Sequence, residues 1–249
     1  MAGFLRSLER FVLAADKKTV YRWLRHNYPG SAFLRYAGGY LFWLAYSRRP
    51  YVGTRVVEIP WAMDRLKRDT KPGQRLLVVG DVITAKLADM SYDIDLVDMD
   101  AEASSNGHLR VQKMDIRRAE LPAGAFDAAV CISTIEHVGV QGMEFPDGDR
   151  LAAGIIHRAL KRGGKLLLTA PFGKPFTVTG FTRIYDSAGL ANALKGYFAV
   201  DEELYYLWDG FRWKRVDLAA GEQAGFLRSD PAKYPGQNLG LVLVTARKE

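Results

Sequence analysis

The sequence predicts an α/β protein: a doubly wound, mostly parallel sheet preceded by a helical N-terminal extension. Three observations lead there. From Gln74 onward, short apolar runs alternate with amphipathic or loop segments, which is the signature of strand–helix–strand crossovers. The runs are six to ten residues long, a length that suits strands better than helices. A length of 249 residues with 48% apolar side chains suits one such domain with a small addition.

Taken in order, residues 1–50 read as helices interrupted at Asn27–Gly30 and Arg48–Pro50, where Pro and Gly punctuate the chain. Residues 1–58 are expected to form a basic helical extension and residues 59–249 the α/β domain. The run from Glu58 to Asp69 is a helix with Pro60 near its first turn, closed by the turn at Lys71–Gln74. Strands follow at Arg75–Gly80, Asp93–Asp100, Leu109–Asp115 and Phe126–Thr134, with a short helix at Ile83–Met90. Asp149–Gly164 reads as an amphipathic helix ended by its glycines, before a strand at Lys165–Pro171. Ser187–Gly196 is a helix, and Phe198–Leu207 and Leu239–Lys248 are strands. No long helix separates these last two strands, so the final one should run antiparallel, at or near the edge.

Composition removes several function classes. A single cysteine, Cys131, excludes a disulfide framework and a cysteine-rich zinc site, and suits a reducing compartment. Four scattered histidines without a His-x-x-x-His pair give no metal site. The net charge is +7, and residues 1–60 supply all of it, with ten basic against three acidic side chains. The other 189 residues are balanced, which argues against a broad nucleic-acid face. The longest early apolar stretch, Tyr36–Tyr46, falls well short of the ~20 residues a spanning helix needs. The expectation is therefore a cytoplasmic chain. Its N-terminal arginines, interleaved with Phe42, Trp43 and Tyr46, either pack on the main domain or attach it to an anionic membrane surface.

A doubly wound sheet binds ligands beyond the carboxyl ends of its strands, at the point where strand order reverses. The residues to inspect are Gly80 and Asp81 after the first strand, Asp98 and Met99 after the second, Asp115 and Ile116 after the third, and Ser133–Val140 after the fourth. Gly80 and Asp98 stand 18 residues apart, the spacing of a glycine turn and a ribose-binding carboxylate in nucleoside-binding domains. A pyrophosphate needs several glycines, and a triphosphate loop needs Gly-x-x-x-x-Gly-Lys-[Ser/Thr]. The segment "VVGDVITAKLA" has one glycine, and Asp81 beside it repels phosphate. S-adenosylmethionine carries adenine, a ribose diol, an amino acid end and a positive sulfonium without phosphate, and it suits such a crevice. His137 is the candidate general base, since an imidazole near its usual pKa of about 6.5 accepts a hydroxyl proton readily. Glu136 is placed to orient its ring or meet the substrate. Asp149 assists His137 in proton removal, or one of Asp147 and Asp149 caps the following helix and the other binds sugar hydroxyls.

At "LLVVGD", "DLVDMD", "LPAGAFDAAVCISTIEHVG" and "RALKRGGKLLLTAP" the chain resembles the class I S-adenosylmethionine-dependent methyltransferases, over about Leu76 to Phe172. The "IEHVG…FPDGD" run is further similar to members linked with polysaccharide and glycolipid assembly. The resemblance implies a Rossmann-like fold and S-adenosylmethionine as cofactor. It gives Asp98 to the ribose, Met99 and Asp115–Ile116 to the adenine, and Gly80, Asp81 and Ser133 to the rest of the cofactor. The chain departs from the family's Asp/Glu-x-Gly-x-Gly first motif, with Val78 in the acidic place and Val82 in that of the second glycine. The expected activity is O-methylation of a hydroxyl on a sugar, glycan or glycolipid. A non-catalytic methyltransferase-like binding module and an RNA methyltransferase are the alternatives.

Overall fold

A 15-residue helix, α1 (Arg55–Asp69), leads into the sheet and buries Glu58, Ala62 and Leu66 on one face. Their spacing of four places one residue per turn toward the core. The helix begins three residues before the expected Glu58, so it spans the boundary expected between residues 58 and 59, and Pro60 lies inside it. It stops at Thr70, whose extended backbone points the N–H and Oγ back to the Leu66 carbonyl at 2.9 and 2.6 Å. The computed structural model describes residues 53–87, 90–140, 145–178, 180–209, 212–225 and 239–249, and the helices expected in residues 1–50 lie outside the described residues.

The expected parallel core is present. Strands β1 (Arg75–Val79), β2 (Asp93–Asp98), β4 (Leu109–Lys113), β5 (Phe126–Ile132) and β6 (Leu160–Pro171) pair in parallel in the order β6-β5-β1-β2-β4. Strand order reverses between β1 and β5, which fixes the switch point. Helices cover both faces. Leu77, Val79, Cys131, Leu166 and Leu168 pack toward α3 (Gly148–Ala159) and α4 (Ser187–Leu194). Leu76, Val78, Val130, Ile132 and Leu167 pack toward Ala62 and Leu66 of α1, and Leu87 of α2 (Thr84–Leu87) adds to that layer. Burying an aliphatic side chain contributes roughly 1.5–3 kcal/mol, so these two layers dominate the stability of the unit.

Three features differ from the sequence reading. The last strand, β11 (Gly240–Arg247), is antiparallel as expected but lies inside the sheet, between β6 and β9 (Ala199–Trp208). Six of its first seven residues are apolar and all seven are buried, which is why an interior place suits it. Helix α3 ends at Ala159 rather than at the glycines, because Leu160 turns extended and pairs with the buried Phe126. Gly163, at φ 74°, and Gly164 then form a bulge inside β6. Finally, short strands appear that the sequence did not announce: β3 (Ser104–Asn106), the β7–β8 hairpin (Phe176–Val178 and Thr182–Ile184) and β10 (Trp213–Val216) at the other edge. A helical turn, α5 (Leu218–Glu222), follows β10.

Candidate active site

Where β1 ends, Gly80 turns the chain at φ 83°, and a Cβ there would lie 2.2 Å from Thr134 Oγ1. Only glycine allows the loops after β1 and β5 to approach so closely. Beside them opens a cleft of about 240 Å³ at the switch point. Its floor is Val79, Gly80, Asp81 and Val82; one wall is Asp98, Met99, Asp115 and Ile116, and the other is Thr134, His137, Val138 and Gly139. Seven of the ten expected site residues thus meet in one place.

Asp98 organises the loops on one wall of the cleft. Its Oδ2 accepts the Asp81 N–H at 2.8 Å, and its Oδ1 accepts the N–H groups of Asp100 and Ala101 at 2.7 and 2.9 Å. A carboxylate has about four acceptor positions, so three are spent on loop backbone and one remains for a ligand hydroxyl. Met99, 57% exposed, and Ile116, buried, add apolar side chains to this wall. Asp115 caps the 3₁₀ turn Ile116–Arg118 and accepts Arg117 Nε and Nη2 at 2.8 and 2.5 Å. Burial pushes the Asp115 carboxyl up, but the guanidinium and backbone N–H of Arg117 outweigh it and hold the group below the usual range. Arg117 therefore joins Asp115 and Ile116 on this wall of the cleft.

His137 lies in the 3₁₀ turn Ile135–His137 after β5. Its Nδ1 sits 2.5 Å from the Phe181 carbonyl, which can only accept, so Nδ1 carries the proton and Nε2 is the basic nitrogen. Burial, opposed by that hydrogen bond and assisted by the charge of Arg55, lowers its pKa below 6.5. The ring is a neutral base at pH 7. Glu136 beside it is 2% exposed, and its Oε1 is 3.8 Å from His137 Nε2. Burial first, then the charge of Glu58, pushes the Glu136 carboxyl up to about 8.

Glu136 is buried behind His137 rather than lining the cleft, and two further expected residues lie elsewhere. Ser133, at φ 39°, does not line the cleft; its Oγ donates to Glu58 Oε1 at 2.5 Å and its N–H to Thr169. Its neighbour Thr134 takes that place. Asp149 does not join His137: Oδ2 accepts the Tyr185 hydroxyl at 2.9 Å and faces Arg183 Nη1 at 3.8 Å, in a second cavity of about 380 Å³. Asp147 stands at the N-cap of α3 but makes no side-chain capping bond there.

Sequence reasoning passed over Arg55 and Glu58 of α1. A carboxylate on the apolar stripe Glu58–Ala62–Leu66 was the available signal, because a buried charge demands partners. It also passed over Arg183, whose guanidinium donates to the carbonyls of Val138, Phe145 and Pro146 and ties the turn after β5 to the β7–β8 hairpin. Among the described residues no group of three His, Cys, Asp or Glu is disposed to hold a metal ion, and no helix is long and apolar enough to cross a membrane.

Residues 83–168 match the family described as Methyltransferase domain. The fold is similar to that of 1,6-didemethyltoxoflavin-N1-methyltransferase from Burkholderia thailandensis, at TM-score 0.52 and 16% identity over 88% of this chain and 91% of that one. It is also similar to an S-adenosylmethionine-dependent methyltransferase from Mesorhizobium loti, at TM-score 0.50 and 15% identity over 78% and 99%. The cyclase SpnF shares it too, at TM-score 0.51 and 19% identity over 76% and 80%. A search of the curated proteins finds no match to the chain.

Proposed function

Because the chain carries a methyltransferase domain of the class I, S-adenosylmethionine-dependent kind, we propose that it methylates a hydroxyl of a sugar, glycan or glycolipid, with His137 as the base. The observation that carries this reading is the state of His137: a neutral ring on the cleft wall, its tautomer set by the Phe181 carbonyl and its pKa lowered by burial. An amine acceptor arrives with its own lone pair once deprotonated, whereas a hydroxyl must lose a proton as the bond forms, and a fixed Nε2 base serves that need.

S-adenosylmethionine, when bound, supplies an electrophilic methyl group on sulfur. The residues present fit it. The remaining acceptor position of Asp98 suits a ribose hydroxyl, Met99 and Ile116 offer apolar side chains to the adenine, and Gly80 lets Thr134 close against the end of β1 to shape the cleft. His137 takes the hydroxyl proton at Nε2 while Phe181 holds the ring against rotation. The second cavity, lined by Asp147, Asp149, Asn192 and the half-exposed Phe176, offers acceptors and an aromatic face of the kind that sugars bind.

The experiment is incubation with S-adenosylmethionine bearing a labelled methyl group and a panel of sugar and glycolipid acceptors. The proposal expects label on a hydroxyl oxygen, and loss of ~10²–10⁴ in turnover for His137→Ala with cofactor affinity nearly intact. Label on nitrogen or carbon alone contradicts it. A second reading, a non-catalytic binding module, is favoured by Val78, fully buried where the family carries an acid. Cofactor binding without transfer to any acceptor would support it.

A further inference from the structure

Charge sits where the pattern of α1 calls for an apolar residue. Glu58 Oε1 accepts from Ser133 Oγ and Thr169 Oγ1 at 2.5 and 2.6 Å, and Oε2 meets Arg55 Nη1 at 2.5 Å. Ser133 and Thr169 stand at the carboxyl ends of β5 and β6, so this contact brings Arg55 to the cleft edge of the sheet. The Arg55 side chain is 43% exposed, so part of its guanidinium stays open to solvent. Glu136 completes the cluster. It is buried, its Oε2 has no hydrogen-bond partner, and it feels the charges of Glu58 and Arg55. A buried acceptor left unpaired is costly, so this oxygen calls for a polar partner.

The cluster adjoins one end of the cleft. Thr134, next to Ser133, lines the cleft against Gly80; His137, next to Glu136, lines it and feels the charge of Arg55. Asp98 and Asp115 lie at the other end, across β1 and toward β2 and β4. A nucleoside held by Asp98 would therefore point its substituent toward β5 and this cluster. At the same time β1 offers no acid, since Val78 is packed among Leu76, Ile83 and Val130.

We propose that Arg55 and Glu136 receive the amino acid end of S-adenosylmethionine, the guanidinium taking the α-carboxylate and Glu136 the α-ammonium, with Glu58 as the positioning residue that fixes Arg55. The inference rests on the cofactor reading above. A zwitterion needs a cationic fork and an anionic acceptor side by side, and this cluster supplies both. Glu58 is spent on two hydroxyls and Arg55, which leaves Glu136 as the acceptor with capacity. Glu136 gives up its proton to solvent as the ammonium arrives, and the new ion pair replaces the neutral acid.

Calorimetry on the full chain tests this with two ligands: S-adenosylhomocysteine, and 5′-methylthioadenosine, which has the adenosine and thioether but no amino acid end. Arg55→Ala and the isosteric Glu136→Gln should each weaken S-adenosylhomocysteine by about tenfold or more and leave methylthioadenosine within about twofold, as expected for a lost hydrogen bond to a charged group. Arg55→Lys should recover part of the loss, keeping charge but not the fork. Wild type titrated at pH 7 in two buffers of different ionisation enthalpy should release a proton on binding S-adenosylhomocysteine, and Glu136→Gln should abolish that release. Unchanged preference between the two ligands, or equal losses for both, overturns the assignment. If wild type binds neither ligand, the cofactor reading itself falls. Circular dichroism of each variant separates loss of binding from loss of fold, and a folded Glu136→Gln suffices to decide.

Discussion

Glu136 and His137 are neighbours that titrate in opposite senses. The Glu136 carboxyl is raised from 4.5 to about 8 by burial and by Glu58, so the folded chain holds a proton that the unfolded chain has already released. Its contribution to stability is full below 4.5 and is lost as pH rises through about 8. His137 is lowered below 6.5, chiefly by burial, so its contribution is present above 6.5 and is lost as pH falls through the folded value. Denaturant unfolding of Glu136→Gln against wild type between pH 5 and 8 should isolate the first effect. The variant should gain stability relative to wild type as pH rises, by at most ~1.4 kcal/mol per pH unit for a single group. A constant difference across that range would mean that Glu136 is ionised in the fold. For His137 the expected signature is an acidic limb of the pH–rate profile with its midpoint below 6.5, and a midpoint above that value would contradict the burial argument.

The β7–β8 hairpin sets the turn that carries His137. The Phe181 carbonyl fixes the ring from one side, and Arg183 donates to Val138, Phe145 and Pro146 from the other. Arg183→Ala should cost roughly 1–3 kcal/mol, the penalty of stranding partly buried carbonyls, measured by chemical denaturation. It should also lower turnover more than S-adenosylhomocysteine affinity, because Arg183 holds the turn that carries His137, whereas Asp98 and Asp115 lie on the other side of the cleft. An effect on affinity alone would show that the hairpin serves the cofactor rather than the base. This hairpin also marks the limit of what the sequence made legible among the elements. Strands β1, β2, β5, β6 and β11 announce themselves as apolar runs because both faces are buried. Phe176–Val178 and Thr182–Ile184 are three residues each, too short for a period to show. The end of α3 was hidden for another reason: Leu160 fits the helical pattern, and only its pairing with Phe126 turns it into strand.

At the scale of the molecule, strand order decides which residues meet. The rule that ligands lie beyond strand ends at the switch point names Gly80, Asp81, Asp98, Met99, Asp115, Ile116 and His137, and these line one cleft because each follows closely on a legible strand. It could not orient Ser133, whose hydroxyl finds Glu58 from 75 positions away, nor foresee that Thr169 joins them from 111 positions. It also brought Asp149 too close, since helix α3 carries that side chain to Tyr185 and Arg183. The net charge is likewise a property of the whole chain, concentrated in residues 1–60. If these residues hold the enzyme to a lipid-linked acceptor, co-sedimentation with anionic vesicles should occur at low salt and weaken toward physiological salt, with about 1 kcal/mol for each basic residue near the surface. Indifference to anionic vesicles at low salt would leave the acceptor as a soluble sugar. The central claim, that the cleft at the switch point is a cofactor site, is tested most directly by titrating S-adenosylhomocysteine into the purified chain and into Asp98→Ala. The account predicts one site per chain in the wild type, weakened by roughly 1.5–3 kcal/mol in the variant, where a hydrogen bond to a charged group is lost. No binding to the wild type, or equal binding to both proteins, would contradict it.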